Sequence, residues 1–394
     1  MRNRTRLKAF AALAVTTLLA TAGPLTASAQ SVPVPELAPL HRAANAVPGR
    51  YIVTLAESAD STEMTSEVGV RALFTYTSVL RGFAADLTAD QLKQVRLMPG
   101  VTAVEEDATV SALVPAPSLA PARSWGLDRI DQRELPLDSD FTAAGSGQGV
   151  DVYVLDTGID YGHSEFGGRA VFGYDAIGDG RRGQDCHGHG THVAGTVGGA
   201  AYGVARKASL VSVRVLNCEG RGALSGIIAG MDWVAANAEQ PAVLNASLGS
   251  DRSTAVNNAS DALSDSGVLP VVAAGNEARN ACNVSPASAE RGVTVGATTA
   301  ADQETYFSNY GTCLAIYAPG ADIVSARMGG GSVALTGTSM ASPHVAGVAA
   351  LYTSKHPTAS ADEVAGWLVE QSTKDVVTGI SAGSPNRLLN TGGL

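Results

Sequence analysis

The chain has 394 residues, 45% of them hydrophobic and 16% charged, with 44 glycines and a formal net charge of −10. This balance excludes a disordered chain. The negative charge, with no basic run beyond the N-terminus, excludes nucleic acid as the main partner.

The chain opens on a secretory signal peptide. Arg2, Arg4, Arg6 and Lys8 form a basic start, residues 9–22 are apolar, and Ala27-Ser28-Ala29 offers a small-x-small cut before Gln30. The apolar run is short for a membrane span, and no later stretch is long and apolar enough. The product is expected to be extracellular, off the membrane once residues 1–29 are removed, and monomeric.

Residues 30–48 are rich in Pro and Ala and read as a linker. A small module follows over residues 49–108. Tyr51-Ile52-Val53-Thr54-Leu55 reads as a strand, residues 61–74 as a helix, residues 78–87 as a strand, and Val101-Thr102-Ala103-Val104 as a closing strand. Thr88 and Gln91 have the spacing of a capping box that opens a short helix. The order β-α-β-α-β predicts an α+β, ferredoxin-like module. The proline-rich residues 114–121 then read as an exposed, cuttable linker.

After Trp125 the pattern changes. Apolar β-rich runs at residues 149–155, 211–216, 243–248 and 268–274 alternate with helical patterns at 224–236, 255–263 and 360–371. Alternation of this kind predicts a mainly parallel sheet with helices on both faces. Ligands bind such sheets at the carboxyl ends of the strands. Asp156, Asn276 and the Ser247-Leu248-Gly249 turn all lie at those ends.

The four cysteines, Cys186, Cys218, Cys282 and Cys313, suggest two disulfides in an oxidising compartment. Three pairings are open. The two local pairs, Cys186–Cys218 and Cys282–Cys313, are favoured; each closes a loop worth roughly 3–4 kcal/mol in the chain-entropy estimate.

Ser339 lies in Gly337-Thr338-Ser339-Met340-Ala341-Ser342-Pro343-His344, just ahead of an apolar helical run. Pro343 is expected in the first turn of that helix. Free N–H groups and the dipole at a helix start favour negative charge, as a serine attacking a carbonyl requires. A simple serine cap would fit the same stretch. Upstream, Cys186-His187-Gly188-His189-Gly190-Thr191-His192-Val193-Ala194-Gly195 places a histidine among small residues at another helix start. Aspartate at a strand end, histidine and serine at helix starts supply orienter, base and nucleophile. Their chain order, Asp, His, Ser, excludes the α/β-hydrolases, which run Ser, Asp, His.

Asp156-Thr157-Gly158, the His189 stretch, Ala274-Gly275-Asn276 and the Ser339 stretch together resemble the subtilisin-like serine proteases. Trp125-Gly126-Leu127-Asp128-Arg129-Ile130-Asp131-Gln132-Arg133 and the cysteine spacings resemble the proteinase K branch, aqualysin-type secreted proteases above all. Residues 49–108 resemble the inhibitory propeptide of that family. The resemblance implies a signal peptide over 1–29, a propeptide over 30–117 and a peptidase domain over 118–394. Self-cleavage is expected between Ala108 and Ala122, near Pro117-Ser118 by the mature start of relatives. It also implies an endopeptidase acting through an acyl-enzyme, made as a zymogen, with Ser339 as nucleophile, His189 as base, Asp156 as orienter and Asn276 as oxyanion donor. Gly220-Arg221-Gly222 and Ser247-Leu248-Gly249 would pair with an extended substrate. Ala273-Ala274-Gly275 would flank a roomy pocket, giving broad cleavage after aromatic or aliphatic residues.

Two other readings compete. The crowding of His187, His189 and His192 suggests a metal-dependent hydrolase, although no His-Glu-x-x-His helix is present. The second is a binding protein with a dead protease fold, which the complete triad opposes. No catalytic cofactor is expected. Asp128, Asp131, Gln132, Asp138 and Asp140 gather oxygen ligands suited to structural Ca²⁺ in a loop broken by Pro136, similar to a calcium loop of aqualysin-like relatives.

Overall fold

The computed structural model describes residues 36–113 and 125–394. The expected signal peptide and the Pro117-Ser118 region lie outside these residues.

The N-terminal module contains β1 (Leu40–His41), β2 (Ala46–Leu55), α1 (Ser61–Val68), β3 (Phe74–Tyr76), β4 (Gly82–Asp86), α2 (Ala89–Leu97) and β5 (Val101–Ala112). The capping box at Thr88 and Gln91 closes in both directions. The helix expected over residues 61–74 stops at Val68. Gly69 takes a left-handed conformation, φ 69°, and its N–H caps Ser66 and Thr65 carbonyls. Residues 74–76 are thereby released to pair with β4, so the order is β-α-β-β-α-β and not β-α-β-α-β. Part of the expected linker is also ordered, since β1 pairs in parallel with β5 and β2 begins at Ala46. Val53, Phe83 and Val104 of the sheet pack against Met64, Val68 and Val95 of the two helices.

The second body contains α3 (Trp125–Asp131), β6 (Asp151–Asp156), β7 (Ala170–Asp175), α4 (His189–Gly198), β8 (Ser209–Arg214), β9 (Arg221–Ala223), α5 (Leu224–Asn237), β10 (Ala242–Ala246) and β11 (Leu248–Asp251). It continues through α6 (Thr254–Asp265), β12 (Leu269–Ala273), β13 (Val284–Ser285), β14 (Val293–Thr298), β15 (Ile316–Pro319), the β16 (Ile323–Ala326) and β17 (Ser332–Leu335) hairpin, α7 (Thr338–Lys355), α8 (Ala361–Gln371), β18 (Thr373–Lys374) and β19 (Arg387–Leu388). Its main sheet runs β18-β19-β15-β14-β12-β10-β6-β8-β7. Every pair is parallel except β18 with β19. Alternate strand residues enter opposite layers. Val152 and Val154 join Val193, Val197, Val345 and Val348 of α4 and α7, while Tyr153 and Leu155 join Ile227, Met231, Val256 and Leu263 of α5 and α6.

One strand belongs to both bodies. The first part of β5 pairs within the module, and its end lies antiparallel between two strands of the second body. Val110 pairs with Gly222 and Ser111 with Arg221 of β9, while Ser111 and Ala112 pair with Gly249 and Leu248 of β11. Carboxylates fasten the rest of the interface. Asp107, fully buried, accepts from Ser225 N and Oγ at the start of α5, at 3.0 and 2.6 Å. Glu105 Oε2 accepts from Ala255 N at the start of α6. In return, Asp232 of α5 accepts the N–H groups of Thr77, Ser78 and Val79. Helix starts carry unpaired N–H groups, so Asp107 and Glu105 meet donors that α5 and α6 themselves cannot satisfy, while Asp232 gathers the N–H groups of the loop after β3.

Candidate active site

β6 ends at Asp156 and α4 begins at His189, both fully desolvated. Asp156 Oδ1 lies 2.7 Å from His189 Nδ1 and also accepts Thr157 N at 2.7 Å. A carboxylate can only accept, so Nδ1 carries the hydrogen and Nε2 is left with a lone pair. Among the described residues, His189 Nε2 and Asp156 Oδ2 have no hydrogen-bond partner.

Ser339 is the second residue of α7, whose first residue Thr338 follows Gly337 at φ 152°. The N–H groups of this turn have no intrahelical acceptor. Pro343 is not in the first turn, as expected from the sequence, but lies inside the helix. Its missing N–H would have bonded the Ser339 carbonyl. The Ser247 hydroxyl takes that place, 2.9 Å from Ser339 O. Ser339 Oγ lies 3.0 Å from Ser247 O and 3.2 Å from Leu113 O, and its single hydrogen serves one of the two carbonyls at a time.

The Asn276 amide is oriented by its neighbours. Its Oδ1 accepts from Thr338 N and Thr338 Oγ1 at 2.9 and 2.8 Å. Nδ2 therefore points outward and donates to Leu113 O at 2.7 Å. Asn309 braces the same turn, accepting from Glu277 N and Arg279 N and donating to Ala274 O. Neither Thr338 nor Asn309 was singled out in the sequence, and neither stands out there as more than a polar loop residue.

The end of β5 occupies the cleft expected for substrate. Gly220 O accepts Ala112 N at 2.8 Å, Arg221 and Gly222 hold one side of the tail, and Leu248 and Gly249 hold the other. A Cβ on Gly249 would sit 3.4 Å from Leu113 Cδ1, so the buried Leu113 side chain lies against a glycine wall. Ala273 and Ala274 are fully buried, and Gly275 carries the turn at φ 105°. No sequence signal marked Leu113.

Cys186–Cys218 and Cys282–Cys313 are joined as disulfides. The three clustered histidines do not act together. His192 is fully buried, its Nε2 donates to Ile323 O and Val333 O, and burial pushes its pKa down to about 3. His189 Nδ1 is taken by Asp156, and His187 is exposed. In the acidic loop, Asp128 accepts from Asp138 N and Ser139 N, Asp131 from Thr142 N, Asp138 from Asp140 N, and Asp140 from Phe141 N. Gln132 accepts from Asp138 N and donates to Glu134 O and Pro136 O.

The model of the subtilase family, a peptidase family, matches residues 147–387, and the model described as peptidase inhibitor I9 matches residues 50–113. The extracellular serine proteinase of Thermus sp. (strain Rt41A) is 44% identical, over 93% of this chain and 94% of its own length. The alkaline serine exoprotease A of Vibrio alginolyticus is 47% identical over 84% of this chain, which spans 62% of that relative's length. A solved structure described as a cold adapted subtilisin-like serine proteinase is 49% identical, with a TM-score of 0.67 over 68% of this chain and 98% of that one.

Proposed function

The chain belongs to the subtilase family and is a serine endopeptidase preceded by an inhibitor-type propeptide, and from this premise we propose how its residues divide the work and where it cuts itself. One observation carries the reading. Leu113 O accepts from Asn276 Nδ2 at 2.7 Å and lies 3.2 Å from Ser339 Oγ, so this carbonyl sits against an oxyanion donor and beside the nucleophile, as a scissile carbonyl must.

Ser339 Oγ turns from the Ser247 carbonyl to His189 Nε2, gives up its proton there and bonds to the Leu113 carbonyl carbon. The oxygen becomes an anion, held by Asn276 Nδ2 and the free Ser339 N–H at the start of α7. Asp156 keeps the Nδ1–H tautomer and stabilises the imidazolium. His189 then returns the proton to the departing amine, leaving Ser339 acylated, and water completes the hydrolysis.

The peptide bond following Leu113 is the self-cleavage site, placing the propeptide boundary ahead of Pro117-Ser118. Cleavage after Pro117 would slide the tail so that Pro115 takes the place of Ser111. Ser111 is paired on both sides, and proline has no N–H for such a ladder. The Leu113 pocket also supports cleavage after aliphatic or aromatic residues in protein and peptide substrates. The chain works as a secreted monomer without nucleic acid; among the described residues no helix is long and apolar enough to cross a membrane.

Structural calcium in the 128–140 loop fits by chemistry. Burial pushes the Asp128 and Asp131 carboxyls up, and the Asp138 charge pushes both further. Crowded, partly desolvated carboxylates gain from a hard cation. Asp128, Asp131, Gln132, Asp138 and Asp140 are proposed on that ground as an ion-holding loop with no part in the reaction, although among the described residues no three His, Cys, Asp or Glu side chains are already arranged around a metal position.

The test is mass analysis of the secreted material beside a Ser339→Ala precursor. A released fragment ending at Leu113, absent from the variant, is expected. A fragment ending at Pro117 overturns the site. Processing by the variant overturns the role of Ser339.

A further inference from the structure

We propose that Asp185 is the positioning residue that sets the contact between His189 and Asp156; the inference rests on the roles proposed above for that pair. Asp185 is 5% exposed, and among the described residues it forms no ion pair. Five donors converge on it instead. Oδ1 accepts from Thr157 Oγ1, His187 N and Gly188 N, each at 2.9 Å. Oδ2 accepts from Thr191 N at 3.0 Å and Thr191 Oγ1 at 2.5 Å.

These donors bracket the pair. Thr157 follows Asp156 directly, His187 and Gly188 precede His189, and Thr191 lies in the first turn of α4. Thr157 Oγ1 in turn accepts Gly190 N at 2.9 Å, so the bonds close a ring through the strand end and the helix start. Gly188, the residue capping α4, has no side chain to cap with. Asp185 supplies that cap from outside and ties it to β6.

The backbones carry an independent sign of the same arrangement. A Cβ at Gly158 would stand 2.5 Å from Gly183 O and 2.8 Å from Asp185 N. One at Gly190 would stand 2.2 Å from Gly158 O. The two loops and the helix start are pressed together with no room for adjustment, and the carboxylate is the polar group shared by all three. Without it, His189 would keep its identity and lose its placement. A displacement of about 1 Å in such a pair can cost on the order of 100-fold in rate.

The test uses the secreted, self-processed enzyme carrying Asp185→Ala or Asp185→Asn. For Asp185→Ala, kcat on a chromogenic peptide is expected to fall about 10- to 100-fold with KM nearly unchanged. Inactivation by a phenyl sulfonyl fluoride, which reads the reactivity of Ser339 directly, should slow in parallel. Asp185→Asn keeps one acceptor oxygen and should fall between. If Asp185→Ala does not fold, Thr157→Val removes one joint of the ring and should lower kcat alone. Wild-type kcat and inactivation rate with only a lowered melting temperature would make Asp185 purely structural and overturn the proposal. Residual turnover by Ser339→Ala would instead overturn the assigned roles.

Discussion

Ser247 and Ser339 bond each other in both directions. The Ser247 hydroxyl donates to the Ser339 carbonyl at 2.9 Å, and the Ser339 hydroxyl donates to the Ser247 carbonyl at 3.0 Å. The first bond replaces the helical bond that Pro343 cannot make; the second holds Oγ until a base claims it. Asn245 Nδ2 donates to Ser247 Oγ and fixes its direction.

Ser247→Ala is therefore expected to act on both stability and rate. It leaves the buried Ser339 carbonyl without its donor, at a cost of about 1–3 kcal/mol. It should also lower kcat by loosening the start of α7. Thermal unfolding and peptide turnover measured on one preparation check this; an unchanged melting temperature would show that the helix does not need the bond.

Asn276→Leu should lower kcat about 100- to 1000-fold with little change in KM, the magnitude known for an oxyanion donor in the related protease subtilisin. The loss falls on the transition state because the donor strengthens only as the oxygen gains charge. A rise in KM at constant kcat would show that Asn276 merely holds the substrate.

Stability should fall on acidification below neutrality. Burial holds His192 at about 3 and His344 at about 4, whereas an exposed histidine titrates near 6.5. The unfolded chain binds these protons first, so the contribution is complete above about pH 6.5 and is lost as pH falls towards 4. Each group contributes about 1.4 kcal/mol per pH unit within its window. Melting temperatures between pH 7 and 4.5 should show the slope, and His344→Asn should flatten it. An equal slope in the variant would assign the effect elsewhere.

Chelation of calcium should lower the melting temperature and leave kcat at saturating substrate unchanged when measured well below unfolding. Asp131→Asn should remove most of that response. Equal melting curves with and without chelator would leave the 128–140 loop as an acidic loop and nothing more.

The proposed reacting groups were legible because chemistry restricts such groups to particular residue types at strand ends and helix starts; Asp156, His189, Asn276 and Ser339 stand where alternating strands and helices put them. Asp185 was not legible, since a carboxylate in a loop looks the same whether it faces water or five donors. Leu113 escaped for a related reason. The pairing of β5 with β9 and β11 links segments more than a hundred residues apart, and no local pattern records such a choice. The overlong helix at residues 61–74 shows the opposite failure: Gly69 held the stop signal, but the polar stretch read as continuous.

Because β5 runs unbroken from the module into the cleft, the first cut is an event within one molecule. Its rate should not depend on protein concentration, since the tail is delivered by its own chain. The same cut changes the blocking agent from a tethered segment to a separable one. From then on, occupancy follows mass action: crowded in a small volume, the cut pair stays together, and dispersal into a large one lets the module drift off. Dilution thus becomes the timer that turns the enzyme loose.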